Sequence, residues 1–216
     1  MAITLAVGTV AAIASTYGSS VTMSAITNAS EAVATLGAGH GVVVGDYLEV
    51  TSGWDRLNGR IVRAKTVATN DITFETINTS STTNYPAGSG TGSIRRITAW
   101  TNLSQVTSDI SVSGGDLNFA DITTIVDVIQ KQIPTTRSPI SVGLPVYFDA
   151  SLGWVSTVTT AADTATATAL RLSFPNGNKL VANGYWSIQT VPTIQDSTLR
   201  GRVDVSFSAS PVLYAT

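Results

Sequence analysis

The sequence predicts an all-β fold: an antiparallel two-sheet sandwich or barrel with one flanking α-helix and a small inserted β-barrel module. Three observations carry that expectation. Apolar and polar residues alternate in Leu170-Arg171-Leu172-Ser173-Phe174 and again in Val203-Asp204-Val205-Ser206-Phe207, the period of half-buried strands. Turn chemistry recurs at short spacing, at Asn58-Gly59, Asn70-Asp71 and Asn176-Gly177, which marks sandwiches and barrels. Only one stretch, Leu152 to Ala162, reads as a helix.

Taken in order, Ile3 to Ser15 is rich in Val, Ile and Thr and predicts a first strand. Ala12-Ile13-Ala14 imitates a signal-peptidase site, yet no Lys or Arg precedes it and Thr4, Gly8 and Thr9 interrupt the apolar run. Tyr17 to Ser20 predicts a turn and Val21 to Thr27 a second strand. Asn28 to Leu36 is Ala-rich, and Gly37, Gly39 and Gly41 after it favour a loop. From His40 to Ile97 the spacing is that of a small barrel. Tyr47 to Val50 is a strand, Ser52 to Gly59 a loop, Arg60 to Val67 a strand and Ile72 to Ile77 another. Residues 78–93 form a long Thr/Ser/Gly loop, of a length that often carries function.

Gly114-Gly115 is a break. In Asn118 to Ile133 the residues Ile122, Ile125, Val126 and Ile129 fit a helix face, but β-branched richness favours a strand pair. Pro134 to Pro139 is a loop, and Ile140 to Phe148 is a strand placed at an edge by Pro145. The helix, capped by Asp149 or Ser151, turns Leu152, Val155 and Val158 or Thr159 to the sheet. Thr166 to Phe174, a turn at Pro175 to Asn178, a return strand from Lys179 to Val191 and a long last strand from Arg200 to Tyr214 complete the chain.

Of 216 residues only 12% are charged, about half of the roughly 25% usual in soluble domains. Such a surface suits burial in an assembly. The net charge of −2 excludes a strongly basic nucleic-acid binder. Residues 1–98 balance their charges, so the deficit lies in residues 99–216. With no cysteine there is no disulfide and no thiolate metal site. No run approaches the ~20 apolar residues of a membrane-spanning helix.

Site chemistry is sparse. His40, the one histidine, lies between Gly39 and Gly41 and reads as a turn residue, since a catalytic histidine needs a nucleophile and an orienting acid. The carboxylates are too scattered for a metal site or a glycosidase pair. Gly37-Ala38-Gly39-His40-Gly41 lacks the Gly-Lys-Ser/Thr ending of a phosphate loop. The chain therefore reads as non-enzymatic, without catalytic residues, cofactor or metal. Arg95-Arg96 and Arg200-Gly201-Arg202 are the dense basic spots, read as strand-face partners for acids of a neighbouring subunit.

Two blocks of residues then resemble a known family. His40-Gly41, Val44 to Tyr47, Ser52-Gly53-Trp54, Leu57-Asn58-Gly59, Phe74 and Thr79 are similar to a small β-module of bacteriophage tail proteins. Gly114-Gly115-Asp116, Gln132 to Thr135, Leu170 to Gly177, Pro192-Thr193, Ser206-Phe207-Ser208 and Tyr214 resemble the major tail tube protein of long non-contractile tailed phages. Each piece is a turn or strand signature, so the specificity lies in their order.

The resemblance implies a tail tube domain from residues 1–18 and 94–216, with 19–93 inserted as a β-module on the outside of the tube. It implies a structural virion protein of the phage tail, assembled in the host bacterial cytoplasm. Hexameric rings would stack into a conduit for DNA ejection. The partners implied are further copies, tail terminator and tail tip proteins, and the tape measure protein and DNA in the lumen, bound without sequence specificity. Asp116, Asp121, Asp127 and Lys131 are the expected lumen-facing or inter-ring residues. Arg200, Arg202 and Asp204 are the expected inter-subunit strand contacts. Asn118 to Ile133 carries fewer acids than the family's loop there. On the residues alone a second reading stays open, a β-rich surface adhesin or binding module of a phage or bacterium.

Overall fold

Strand β1 (Val10–Ile26) and strand β6 (Gly92–Asn102) pair antiparallel along most of their length and serve as the spine of the molecule. The computed structural model describes residues 7–215. Ile3 to Ala6, the start of the expected first strand, lies outside them. The expected turn at Tyr17 to Ser20 is absent. A single strand of 17 residues runs through it, with register shifts at Ala14, Thr16 and Tyr17. Such irregularities bend a strand without ending it, so the Gly18-Ser19 signal marks a bend rather than a reversal.

Between the two spine strands lie β2 (Val33–Leu36), β3 (Tyr47–Ser52), β4 (Ile61–Ala68) and β5 (Asp71–Phe74). The Ala-rich stretch read as loop thus supplies β2. It pairs with β5 on one side and with Met23 to Ile26 of β1 on the other. That pairing closes a six-stranded barrel in the order β1, β2, β5, β4, β3, β6. Closure leaves no free edge within the barrel itself, although β6 runs on beyond it. Met23, Leu48, Ile61, Ile72, Phe74 and Ile94 fill the barrel. Trp54 plugs it, donating its indole N–H to the Pro86 carbonyl at 2.7 Å. Gly90 is required there: a Cβ would meet the Trp54 ring at 2.6 Å.

After β6 come β7 (Ser111–Ser113), β8 (Leu117–Asp121), β9 (Gln132–Arg137) and β10 (Ser141–Tyr147). Helix α1 (Gly153–Asp163), β11 (Thr168–Ser173), β12 (Lys179–Ile188), β13 (Thr193–Gln195), β14 (Thr198–Phe207) and β15 (Val212–Tyr214) follow. The large sheet continues from β6 through β1, β11, β12, β14 and β10 to β7. The expected long last strand is therefore two strands, β14 beside β12 and β10, and β15 beside the start of β12. Pro134 does not hold a loop but lies inside β9, opposite Phe119 of β8, the one strand it pairs with among the described residues.

The sheet is covered by α1 on one face and, over β11, β12 and β15, by the barrel on the other. On one, Trp154, Val155, Val158 and Ala161 of α1 pack with Ile13, Leu144, Leu170, Trp186, Val203 and Val205. Ala169, Val181, Val212 and Tyr214 point the other way, into the core of the barrel. Alternate residues of β11 and β12 thus serve two different cores, as the two-residue period of a strand dictates. The helix begins after Leu152 without a side-chain cap; the Asp149 carboxylate instead accepts the Ser151 N–H at 2.9 Å, one turn earlier.

Candidate assembly surfaces

Barrel and sheet meet in a seam of tyrosines and ion pairs. The Tyr17 hydroxyl accepts the Ala169 N–H at 2.9 Å, with the Arg95 guanidinium 4.7 Å from its ring centre. Arg95 also pairs with Glu49 at 2.6 Å, and Glu49 accepts the Asn183 amide at 3.1 Å. At the other end of the seam Arg63 is held bidentately by Glu75 and lies over Tyr214. Burial pushes the Tyr17 hydroxyl up to about 12 and raises those of Tyr47 and Tyr214 as well. These contacts hold the barrel against the sheet.

Beyond the seam the sheet is unfinished at both ends. Barrel strand β3 covers β6 only from Gly92 to Arg96, so no described strand pairs with the outer side of Ile97 to Asn102. At the opposite end β7 pairs only with β10 and is exposed throughout. Next to β7 the β8–β9 hairpin forms a separate two-stranded sheet. Two strands alone are marginally stable in water. Its base is pinned by Gly114 and Gly115, both at positive φ; a Cβ on Gly114 would fall 1.9 Å from the Pro139 carbonyl oxygen.

The tip of the hairpin is shaped by polar groups and covered with apolar ones. Asp121 accepts the Thr123 N–H at 2.8 Å and its hydroxyl at 2.5 Å, and the Gln130 amide at 3.0 Å. Asp127 pairs with Lys131 and accepts the Thr124 N–H at 2.8 Å. The Thr123 hydrogen bonds hold the Asp121 carboxyl below the usual carboxylate range, and the Lys131 ammonium, with Thr124, does so for Asp127. Ile122, Ile125, Val126, Val128 and Ile129 meanwhile stand in solvent, Ile125 and Val128 almost completely. Large apolar side chains exposed together in this way make the tip a candidate contact surface. A smaller one lies at the β13–β14 hairpin, where Val191, Ile194 and Leu199 are exposed.

Of the residues singled out in the sequence, Asp116, Asp121, Asp127 and Lys131 all fall on this hairpin. Asp121, Asp127 and Lys131 are engaged within its tip, whereas the exposed Asp116 carboxylate lies at its base. Arg200, Arg202 and Asp204 lie on β14, inside the sheet, with their backbones paired to β10 and β12 or β13. What they offer outward is side chains: Arg202 paired with Asp204 at 2.6 Å, and Arg200 over Tyr147. His40 clips its own loop, donating to the Thr69 carbonyl at 2.8 Å and accepting the Val42 N–H at 3.0 Å. Asp46 instead accepts from Val43 and faces Arg96.

Among the described residues no group of three or more His, Cys, Asp and Glu could hold a metal ion, and no helix is long and apolar enough to cross a membrane. Sequence reasoning weighed a helix face of Ile122, Ile125, Val126 and Ile129 against a strand pair over Asn118 to Ile133, and the structure has the strand pair, β8 with β9. The exposure of Ile122, Ile125, Val126, Val128 and Ile129 shows that no described residue covers them. Comparison with curated proteins returns no match. A family model described as phage tail tube protein matches residues 52–216.

Proposed function

The chain belongs to the phage tail tube protein family, a structural component of the phage tail, and from that premise we propose that its subunits close into hexameric rings that stack into a conduit for DNA ejection. The observation that supports this most strongly is the β8–β9 hairpin, whose apolar tip finds no partner within the described chain. A second copy supplies that partner. Each large apolar side chain buried in such a contact contributes about 1.5–3 kcal/mol before the cost of ordering.

Ring closure joins the free edge of β7 in one copy to the free outer side of Ile97 to Asn102 in the next. A contact between two different surfaces of the same chain generates a ring when the rotation closes. The hairpin then serves stacking between rings. Residues 19–93 form the outer module in this reading, fastened by the seam to a tube domain of residues 1–18 and 94–216. The acid excess of residues 99–216 suits a bore through which DNA slides, since a basic lining would hold phosphates by counterion release. Tail terminator, tail tip and tape measure proteins are the further partners, with assembly in the host cytoplasm.

Concentrated protein imaged in negative stain tests the proposal, together with light scattering. Stacked rings and a particle of six times the 22.4 kDa subunit are expected; a monomer at every concentration refutes it.

A further inference from the structure

We propose that the cavity between the barrel and the base of the β8–β9 hairpin is a carboxylate-binding site, filled in the tube by an acidic side chain of an adjacent copy. The source of that carboxylate rests on the ring reading; the site itself rests on geometry. The cavity measures about 370 Å³ and is lined by Arg56 and Arg60 from the barrel, Arg137 from β9, and Asp55 and Tyr85.

None of these three arginines has an ion pair among the described residues, whereas Arg63, Arg95, Arg96 and Arg202 each face a carboxylate. The Nε of Arg60 is also closed off from solvent without an acceptor. Buried donors are as a rule satisfied; the Nε of Arg171 and Arg200 share this condition elsewhere in the fold, but of these only Arg60 lines this cavity. The lining carries three arginines against one acid, Asp55, so it is net positive and suits an anion. The planar forks of the arginines match a carboxylate with two parallel hydrogen bonds. Asp55 is the only acid in the lining and is in no ion pair there.

The position favours a protein source. The cavity lies at the base of the same hairpin whose tip carries the apolar surface, so a copy that packs along the hairpin reaches both. The chain supplies exposed acids without an ion pair among the described residues, Asp109 and Asp163 among them.

Two arms test this with Arg60→Gln/Arg137→Gln, with Arg137→Gln alone as a milder change at an exposed residue, and with Arg137→Lys. In the first, subunits below their assembly concentration are titrated with glutarate. The readouts are guanidinium N–H resonances and Trp54 fluorescence, Trp54 standing edge-on to Tyr85 at 5.2 Å. A saturable response in the wild type, weakened about tenfold in the double variant, is expected. No saturable response in the wild type overturns the site, whether or not rings form.

In the second arm the critical concentration for tubes is compared. A rise of about tenfold in the double variant at unchanged melting temperature, smaller in Arg137→Lys, is expected. An unchanged critical concentration in every variant overturns the neighbouring copy as source. Variants that assemble normally but retain less DNA overturn the carboxylate assignment in favour of phosphate. A wild type that binds glutarate but never forms tubes refutes the ring reading and the source, and leaves the site.

Discussion

The Tyr214 hydroxyl accepts the backbone N–H of Arg63 at 2.8 Å, across 151 positions of the chain. The same ring lies 4.6 Å beneath the Arg63 guanidinium. One residue near the C-terminus therefore anchors strand β4 of the barrel to the large sheet. Tyr214→Phe keeps the ring and leaves a buried backbone donor without its acceptor. The expected cost is about 1–3 kcal/mol, read as a lower melting temperature of the subunit in a thermal denaturation followed by circular dichroism. An unchanged melting temperature would show that water replaces the hydroxyl.

The same seam sets an alkaline limit. Burial raises the Tyr17 hydroxyl to about 12 and raises Tyr214 too, so the folded state favours their neutral forms more than the unfolded state does. The stability this confers is fully present below the ordinary tyrosine value of about 10. It is lost as pH rises through about 12, because the unfolded chain then gains more by ionising. Tyrosinate absorbance from Tyr17, Tyr47 and Tyr214 should appear late, above the ordinary tyrosine value. Ionisation of all six in one step near pH 10 would contradict the burial assigned here.

On the acid side the hairpin tip responds. The Asp127 carboxyl is lowered by Lys131 and Thr124, and Asp121 by Thr123 and Gln130. The order these bonds give the tip is present above the ordinary carboxylate value of about 4 and is lost as pH falls through the lower folded values. Faster amide exchange at Thr123 and Thr124 below about pH 4, with the barrel core still protected, is the expected result.

The apolar tip should matter to assembly and not to folding. Ile125→Ser/Val128→Ser alters two side chains that stand in solvent in the subunit. Its melting temperature should stay within the effect of about ±0.5 kcal/mol usual for surface changes. The critical concentration for tubes should rise by at least about tenfold, the equivalent of ~1.4 kcal/mol per contact. Sedimentation of the polymer against protein concentration measures it.

Helix α1 tests the opposite core. Trp154 is buried against the sheet, and Trp154→Ala should cost about 3–5 kcal/mol through the cavity it leaves. Chemical denaturation gives the value directly.

Much of this architecture could be read from residue order. The alternation of Val203, Val205 and Phe207 placed β14, and Pro175 to Asn178 placed the β11–β12 turn. The helix was legible from its apolar spacing, although Trp154 was not among the residues expected to face the sheet. What escaped was set by distant partners. Val33 to Leu36 has little strand character of its own and becomes β2 because β1 and β5 offer it two ladders. Gly18-Ser19 carries a local turn signal that pairing with β6 overrides. Asp121, Asp127 and Lys131 were read as lumen-facing or inter-ring residues; the structure shows their carboxylates and ammonium engaged within the hairpin tip, beside exposed apolar neighbours that the reading did not single out as a surface.

The account turns on sheet borders and a hairpin that sister copies complete. Amide hydrogen exchange of dilute subunit against sedimented polymer measures this at Ile97 to Asn102, Ser111 to Ser113 and Leu117 to Arg137. The account predicts fast exchange at all three in the subunit and strong protection in the polymer. Equal protection of these segments in both states would contradict it.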